Sequence, residues 1–242
     1  MKKLNIFSLL TVLALFASLS SFRAATNTAI VEEETRTVAP FKKIGLAYPA
    51  NVILRKGDTQ SVKVEGDAEQ LDQLITEVED GKLTIKRKNR QYSNDGSSNN
   101  KRVNIYITVP QVEGLSVSGS GKIRSEDTFK SNSLDLAVSG SGNIQLTANA
   151  ENVTSRISGS GSIELKGQGK QTTVAVSGSG AMRGYDFTTS DAQVSISGSG
   201  SCEITATNRL KSSISGSGRV LYAGSPSVDS RVSGSGSVKK RG

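Results

Sequence analysis

The amino-acid sequence predicts an all-β fold, a parallel β-helix or a closely related β-solenoid, expected to be right-handed, with 18–21 residues in each coil. Three observations support this prediction. A Ser-Gly-Ser-Gly motif recurs at nearly regular spacing, apolar and polar residues alternate around each copy, and no stretch between copies has a helical pattern. The last observation argues against a parallel sheet with crossover helices.

The motif occurs seven times in the C-terminal half of the chain. Its copies begin at Ser118, Ser139, Ser158, Ser177, Ser197, Ser215 and Ser233. A repeat of this length cannot bury its own apolar side, so neighbouring copies must stack on one another. Stacked coils would place equivalent residues about 4.8 Å apart, the normal spacing between strands.

The alternation around the motif predicts which side chains face inward. Val117 and Ile123 flank the first copy, and the equivalent positions of the other copies are apolar or Cys. Period two places both positions on the buried face of an extended strand. Two interpretations of the glycines stay open. In a continuous strand both glycines would point inward and both serines outward, whereas at a corner the glycine pair would adopt positive φ.

One outward column carries charges of alternating sign. The third residue after the motif is Glu164, Arg183 and Glu203 in three consecutive coils. Opposite charges that face each other on adjacent strands contribute about 0.2–1 kcal/mol each. The order of these charges therefore predicts that the three residues lie in one column.

The N-terminal segment has the pattern of a secretory signal peptide, expected at residues 1–24. Lys2 and Lys3 precede an apolar run at residues 6–16, and small residues follow up to Ala24. The run is shorter than the roughly 20 residues that a bilayer-spanning helix needs. We expect an exported protein of the periplasm, the cell surface or the extracellular space, with no transmembrane segment after signal removal.

Residues 25–112 are expected to form a β-rich cap for the solenoid at residues 113–242, because an open sheet edge invites aggregation. Short alternating runs predict strands there, at residues 41–47, 51–55, 61–65, 82–86 and 103–109. Gly57-Asp58 is predicted to join two of them as a hairpin turn. At the other end, the basic residues 239–241 would discourage pairing between edges.

A polar loop at residues 91–100 is flanked by basic side chains. These are Lys86, Arg87, Lys88, Arg90, Lys101 and Arg102. They would form an anion patch for acidic glycans or lipopolysaccharide, or simply the solvated tip of a hairpin, and the hairpin is the simpler interpretation.

The serines of the motif form two candidate ligand-facing columns. Over the first five copies they are Ser118, Ser120, Ser139, Ser141, Ser158, Ser160, Ser177, Ser179, Ser197 and Ser199. One interpretation is that small residues suit a tight coil, with their hydroxyls bonded to neighbouring backbone. The other is a flat hydroxylated face that docks a repetitive ligand such as a glycan, an envelope protein or another protomer.

The residues that carry catalysis are scarce. The chain has no His, which excludes Ser-His-Asp and Cys-His arrangements and leaves a metal site improbable, so no catalytic residue, cofactor or metal is expected. Glu164 and Glu203 share a column, about 9–10 Å apart, and keep an envelope polysaccharide lyase or hydrolase open as the alternative function. Cys202 takes an inward position and is expected to be a buried thiol.

The formal net charge of +8 falls to +5 if Lys2, Lys3 and Arg23 leave with the signal peptide. A surplus of this size in an exported protein favours solubility or attraction to anionic envelope polymers over nucleic-acid binding. The oligomeric state is not predicted.

The residues also resemble the head GIN domain family, known as putative auto-transporter adhesins. The resemblance begins at Phe41-Lys42-Lys43-Ile44, passes through Asn51-Val52-Ile53-Leu54 and Val62-Lys63-Val64-Glu65-Gly66, and continues through Asp80-Gly81-Lys82-Leu83-Thr84-Ile85 into the repeated motif. It implies an exported β-helix-like fold in Gram-negative envelopes and a non-enzymatic, adhesin-like or structural role. It supplies no catalytic residue.

Overall fold

Each Ser-Gly-Ser-Gly motif ends one strand and precedes the next in the computed structural model, which describes residues 31–88 and 102–241. The elements, numbered in chain order, are β1 Val31–Thr35, β2 Lys43–Ala47, β3 Asn51–Lys56, β4 Ser61–Asp67, α1 Ala68–Asp72, β5 Leu74–Glu79, β6 Lys82–Arg87, β7 Asn104–Val109, β8 Gly114–Gly119, β9 Lys122–Gly140, β10 Asn143–Gly159, β11 Ser162–Gly178, β12 Ala181–Gly198, β13 Ser201–Gly216, β14 Arg219–Ala223, β15 Ser227–Ser233 and β16 Ser237–Lys240.

Strands β9 to β13 form the body of the solenoid, one long strand for each coil. Neighbouring coils pair in parallel, and the motifs stay in register throughout, so that Gly140 pairs with Gly159 and Gly159 with Gly178. Local irregularities in the middle of the strands absorb the differences in coil length. The predicted β-solenoid is confirmed.

The core consists of columns of apolar side chains that run along the stack. The residue before the motif is at most 2% exposed in the first six copies, from Val117 to Ile214, and the second residue after it is fully buried from Ile123 to Val220. Burying one such side chain stabilises the fold by about 1.5–3 kcal/mol. The alternation read from the sequence therefore identifies the core columns correctly.

The two glycines of the motif play different parts. The first has a φ of +97° to +116° in all seven copies and lies at the outer corner of the coil, so the inward alternative does not apply to it. The second, such as Gly161, is buried, and a Cβ there would lie 2.4 Å from the side chain of Val138. The corner interpretation thus holds for the first glycine and the inward interpretation for the second.

Backbone hydrogen bonds continue from coil to coil around this corner. The amide of Ser160 donates to the carbonyl of Gly140 at 3.0 Å, and that of Ser162 donates to Gly142 at 3.0 Å. The same pair of bonds recurs in the following coils. The corner therefore leaves few backbone groups without partners, which makes a sharp bend compatible with a dry interior.

The N-terminal strands extend the same stack. Strands β2 and β3 pair in parallel with β8 and β9, and β6 and β7 add a further layer on β2 and β3. Tyr48-Pro49-Ala50 stands where later coils have the motif, and Lys122 donates to the carbonyl of Ala50 at 2.9 Å. The division at residue 112 remains a prediction.

The outermost N-terminal layer is antiparallel. Strand β4 pairs with β7, β5 with β6, and β1 with β4. The predicted Gly57-Asp58 hairpin is wrong, because β7 lies between β3 and β4. Glu79-Asp80-Gly81 does form a tight turn, in which Asp80 and Gly81 both have positive φ.

The charge column has the expected register but not the expected ion pairs. Glu164 is aligned with Arg183, and Arg183 with Glu203. The Glu164 carboxylate instead lies 3.3 Å from the Lys166 ammonium and accepts a hydrogen bond from Gln145 at 3.2 Å. The long side chain of Glu164 thus contacts one partner on its own strand, Lys166, and one on the neighbouring strand, Gln145.

The expected signal peptide, the loop at residues 91–100, Arg90 and Lys101 lie outside the described residues. Within the described ranges, no helix is long and apolar enough to cross a bilayer.

Candidate functional site

A groove of about 510 Å³ runs along the outer face of the sheet just before the corner. We call it the serine groove. One side is lined by the first serine of five successive motifs, Ser118, Ser139, Ser158, Ser177 and Ser197. The parallel column two residues earlier supplies the other side, with Ser116, Ala137, Arg156, Ala175 and Ser195. Five coils therefore contribute to one continuous depression.

The local sequence explains why the surface is concave here. Outward positions alternate with the buried column of Val117, Val138 and Ile157, so the groove floor is strand backbone with short Ser and Ala side chains above it. Register pairing aligns Ser118 with Ser139 and each following serine with the next. The hydroxyls accordingly repeat at the inter-strand spacing of about 4.8 Å.

Arg156 is the one charged side chain among the residues that line the groove. It is 65% exposed, and its Nη1 lies 3.8 Å from Oδ1 of Asp135 on the neighbouring coil. Such a loose surface ion pair contributes little to stability. The guanidinium is thus available to an anionic or hydroxylated group that enters the groove.

The ten predicted serines divide into two sets. The first serine of each motif lines the groove, whereas the second, such as Ser160, is exposed at the corner outside it. Among the described residues, no hydroxyl of these ten serines forms a hydrogen bond to a protein group, so the expectation that they bond to neighbouring backbone is not met. Both sets face solvent with free donors and acceptors.

The column with Ala137, Arg156 and Ala175 was missed by the sequence analysis. Its signal is present in the sequence, because the residue two places before each motif serine is small in most coils. The surface is concave only where two neighbouring columns both have short side chains. The sequence prediction considered the serine column alone.

The described residues of the predicted anion patch have separate environments. Lys86 pairs with Glu77, and Arg87 lies over the ring of Tyr48 at 5.6 Å. The backbone amide of Lys88 donates to Gln73 at the N-terminal end of the stack. Arg102 donates to the carbonyl of Ser120 at 3.3 Å. An anion patch at these residues remains a prediction.

The two carboxylates that share a column, Glu164 and Glu203, lie two strands apart. Glu164 and Glu203 are separated by the Arg183 strand, in the register that a structural charge column requires. Within the described ranges, no three metal-ligating side chains come together. Cys202 is fully buried, and desolvation raises the pKa of its thiol to about 12, so the reactive thiolate is strongly disfavoured.

A polar cluster ties the N-terminal strands to the first coil. The Arg55 guanidinium donates to Glu126 at 2.7 Å and lies over the Tyr106 ring at 5.6 Å. The hydrogen bond from Arg55 lowers the pKa of the Glu126 carboxyl. Tyr106 donates to Glu65 at 2.9 Å, which raises the pKa of its phenol. Each charged group has a partner within the cluster, as in a structural clamp.

Residues 40–226 match the family described as "Putative auto-transporter adhesin, head GIN domain". The chain belongs to the head GIN domain family. The match covers most of the chain and includes every coil that lines the serine groove. No significant match is found among curated protein sequences.

Solved structures share the fold of this head GIN domain. A putative adhesin from Bacteroides fragilis superposes with a TM-score of 0.79 at 20% identity, covering 88% of this chain and 97% of its own. A putative lipid binding protein from Parabacteroides distasonis gives 0.70 at 24% identity, with coverages of 89% and 98%. A putative adhesin from Parabacteroides merdae gives 0.65 at 16% identity, with coverages of 89% and 98%.

Proposed function

We propose that this head GIN domain protein is an exported, non-enzymatic, adhesin-like binding module of the cell envelope, acting in the periplasm or at the cell surface. The proposal places ligand contact in the serine groove. The observation that carries it is the alignment of five serine hydroxyls, free of protein partners, along one concave face. Membership of a family described by adhesion supports the binding role.

The shape of the groove favours an extended, repetitive ligand. Five coils span about 19 Å, roughly the length of four sugar units or of a short extended peptide. Each hydroxyl offers a hydrogen bond with a net contribution of about 0.5–1.5 kcal/mol. One such hydrogen bond is weak, but a longer ligand can form several of them at once along the groove. We therefore expect the affinity to rise with ligand length.

The floor of the groove also provides apolar contact. Ala137, Ala175 and the strand backbone present a surface on which the carbon face of a sugar or an acyl chain can lie. One structural neighbour is described as a putative lipid binding protein. Lipid is therefore a third ligand class to test, beside glycan and envelope protein.

Two paired variants test the groove. Ser158→Arg with Ser177→Arg fills it with two long side chains, whereas Ser160→Arg with Ser179→Arg adds the same charge to the same motifs at the corner outside it. All four positions are exposed, so we expect both proteins to fold. Binding should be compared on a glycan array and on vesicles of bacterial envelope lipids.

We expect the groove variant to lose at least tenfold in affinity for any ligand that the parent protein binds, while the corner variant retains it. Equal losses in both variants would argue against the groove. New reducing ends or unsaturated products on incubation with acidic polysaccharides would overturn the non-enzymatic assignment in favour of a lyase or hydrolase.

A further inference from the structure

The last coil that the structure describes is paired on one side only. The last coil consists of β15 and β16, and within the described residues no further strand pairs with them. Val228 and Val232 are 39% and 43% exposed, although their column neighbours one coil earlier, Leu210 and Ile214, are buried. This end therefore presents both an apolar surface and unpaired strand backbone, the combination that recruits another β element.

The N-terminal end carries a hollow of about 510 Å³ between β1, α1 and β5. Its floor includes Leu71 and Leu74, which are almost completely buried, together with the half-buried Ile75. Glu32, Glu34 and Asp72 stand around it together with the basic Arg36 and Lys88, so its lining carries an excess of one acidic residue. An apolar floor with this small acidic excess would suit an apolar projection with basic neighbours.

The charges of the two ends are opposite. Segments 31–36 and 67–80, which contain β1, α1 and β5, carry nine acidic residues and one basic residue. Segment 227–241, which forms the last coil, carries four basic residues and one acidic residue. Some of the N-terminal acids are already paired, among them Glu33 with Lys63 and Glu34 with Arg36. Strand β6 and the residue after it add four basic residues beside β5, and Lys86 of this strand pairs with Glu77. Nine acidic against five basic residues still leave the N-terminal end acidic, opposite in charge to the C-terminal end.

We propose that copies of this chain associate end to end, the basic C-terminal coil of one copy docking against the acidic N-terminal end of the next. Val228 and Val232 supply the apolar contact for the hollow, and Lys239 and Lys240 face the acidic residues around it, whereas the Arg241 guanidinium lies over the Tyr185 ring at 4.3 Å. The docking surface joins two different patches, so the contact is heterologous and extends into linear assemblies. This inference is independent of the serine groove and of what the groove binds.

The same charges disfavour the other way of covering the open coil. A symmetric contact between two C-terminal ends would bring Lys239, Lys240 and Arg241 of both copies together. Like charges at close range oppose that contact and favour the oppositely charged partner. The basic cluster thus disfavours contact between two C-terminal ends and favours contact between a C-terminal and an N-terminal end.

Two half-blocked variants of the purified protein distinguish these arrangements. The tail-blocked variant carries Val232→Asp and Lys240→Glu, and the head-blocked variant carries Glu32→Lys and Asp72→Lys. All four residues are exposed, so circular dichroism and melting curves should match the parent protein. A control with Lys130→Glu and Ser160→Asp makes the same charge change as the tail-blocked variant on the side of the stack.

Sedimentation velocity is measured up to about 1 mM protein, at low and high salt. We expect the parent and the control to form a concentration-dependent series that weakens as salt screens the charges. Each half-blocked variant alone should stay monomeric. An equimolar mixture of the two should associate, because it contains one free head and one free tail and because the reversed charges of the two blocked ends are again opposite.

Each other result overturns the proposal. A parent protein that is monomeric throughout excludes end-to-end association. A head-blocked variant that dimerises alone indicates contact between two C-terminal ends. A mixture that stays monomeric, or a tail-blocked variant that still assembles alone, shows that the two ends are not each other's partners.

Discussion

The first glycine of each motif bears two constraints at one residue. Its φ of about +100° is a conformation that side chains disfavour, and from the second copy onward an added Cβ would clash with the backbone of the preceding coil. At Gly159 a Cβ would stand 2.7 Å from the carbonyl oxygen of Gly140. At Gly119, where the preceding coil has Tyr48-Pro49-Ala50 in place of the motif, a Cβ would meet nothing within 4 Å.

These two glycines separate the cost of conformation from the cost of stacking. We expect Gly119→Ala to lower the free energy of unfolding by about 1–3 kcal/mol, the cost of positive φ alone. Gly159→Ala should lower it by more, because the added methyl also forces adjacent coils apart. Denaturant unfolding of both variants measures the difference. Equal losses would mean that the close approach of the coils contributes nothing.

Cys202 links a single buried group to alkaline stability. Its pKa is raised to about 12 in the folded protein, whereas an unfolded thiol ionises at about 8.5. Between these values the unfolded state binds fewer protons than the folded state. Stability should therefore fall by about 1.4 kcal/mol for each pH unit above about pH 8.5 on account of this group. Below that pH the group contributes no pH dependence.

Cys202→Val isolates this effect, since the apolar side chains of Met182 and Val220 occupy the same column in the two neighbouring coils. We expect the variant to match the parent protein at pH 7 within about 1.5 kcal/mol. From pH 9 to 11 its stability should rise relative to the parent. A difference that stays constant over this range would show that the thiol ionises equally in both states.

Single residues also mark the limit of what the sequence could predict. Period two assigned Ile163 and Cys202 to the core correctly, because an inward position is a local property of the strand. The first glycine was ambiguous for the same reason, since an alternating pattern fits both an inward glycine and a corner glycine. Only the stacking of Gly159 on Gly140 decides between them, and that contact lies between coils.

At the scale of elements, the interior columns are apolar except where hydroxyls interrupt them. The column of Leu136 and Val174 contains Ser155 between them, and Ser155 Oγ is buried without a hydrogen-bond partner among the described residues. Elsewhere in the core, Thr172 donates to Thr189 at 3.0 Å, and Thr189 donates to Lys170. The buried hydroxyls of Ser155 and Thr172 therefore differ in whether they form a hydrogen bond.

Removing each hydroxyl should shift stability in opposite directions. We expect Ser155→Ala to raise the free energy of unfolding by about 1 kcal/mol, because an unpaired buried hydroxyl is costly and the change adds no volume. Thr172→Val keeps the shape and loses a bond, and should lower it by about 1 kcal/mol. Thermal unfolding tests both. A stabilising Thr172→Val would contradict this account of the column.

Element boundaries were less predictable than element faces. The strand at residues 61–65 was predicted correctly, but its pairing partner was not. Strand β7, which follows about 40 residues later in the chain, lies between this strand and β3. A Gly-Asp pair in the sequence predicts that the chain turns, but it does not predict which strand will pair with the next one. The serine groove was missed similarly, since it depends on Ala137 and Ala175 lying beside the serine column.

At the scale of the whole molecule, the solenoid is a one-dimensional stack. Each interior coil is covered on both sides, whereas β15 and β16 are covered on one. In such stacks, stability is approximately the sum of the coils and of the contacts between them, so the ends open first. The N-terminal end differs, because antiparallel strands and α1 close over it.

Hydrogen exchange should therefore show an asymmetric gradient along the stack. We expect amides of β15 and β16 to exchange faster than those of β10 and β11, with β6 and β7 remaining protected despite lying near the other end. The experiment should be carried out at micromolar protein concentration, which is below the concentration at which copies associate end to end. Docking of a second copy would otherwise cover the last coil. Raising the concentration should then slow exchange in β15 more than in β10. Uniform protection at low concentration would mean that the solenoid unfolds as one cooperative unit. The last coil, with its exposed valines, would then be no less stable than the interior coils.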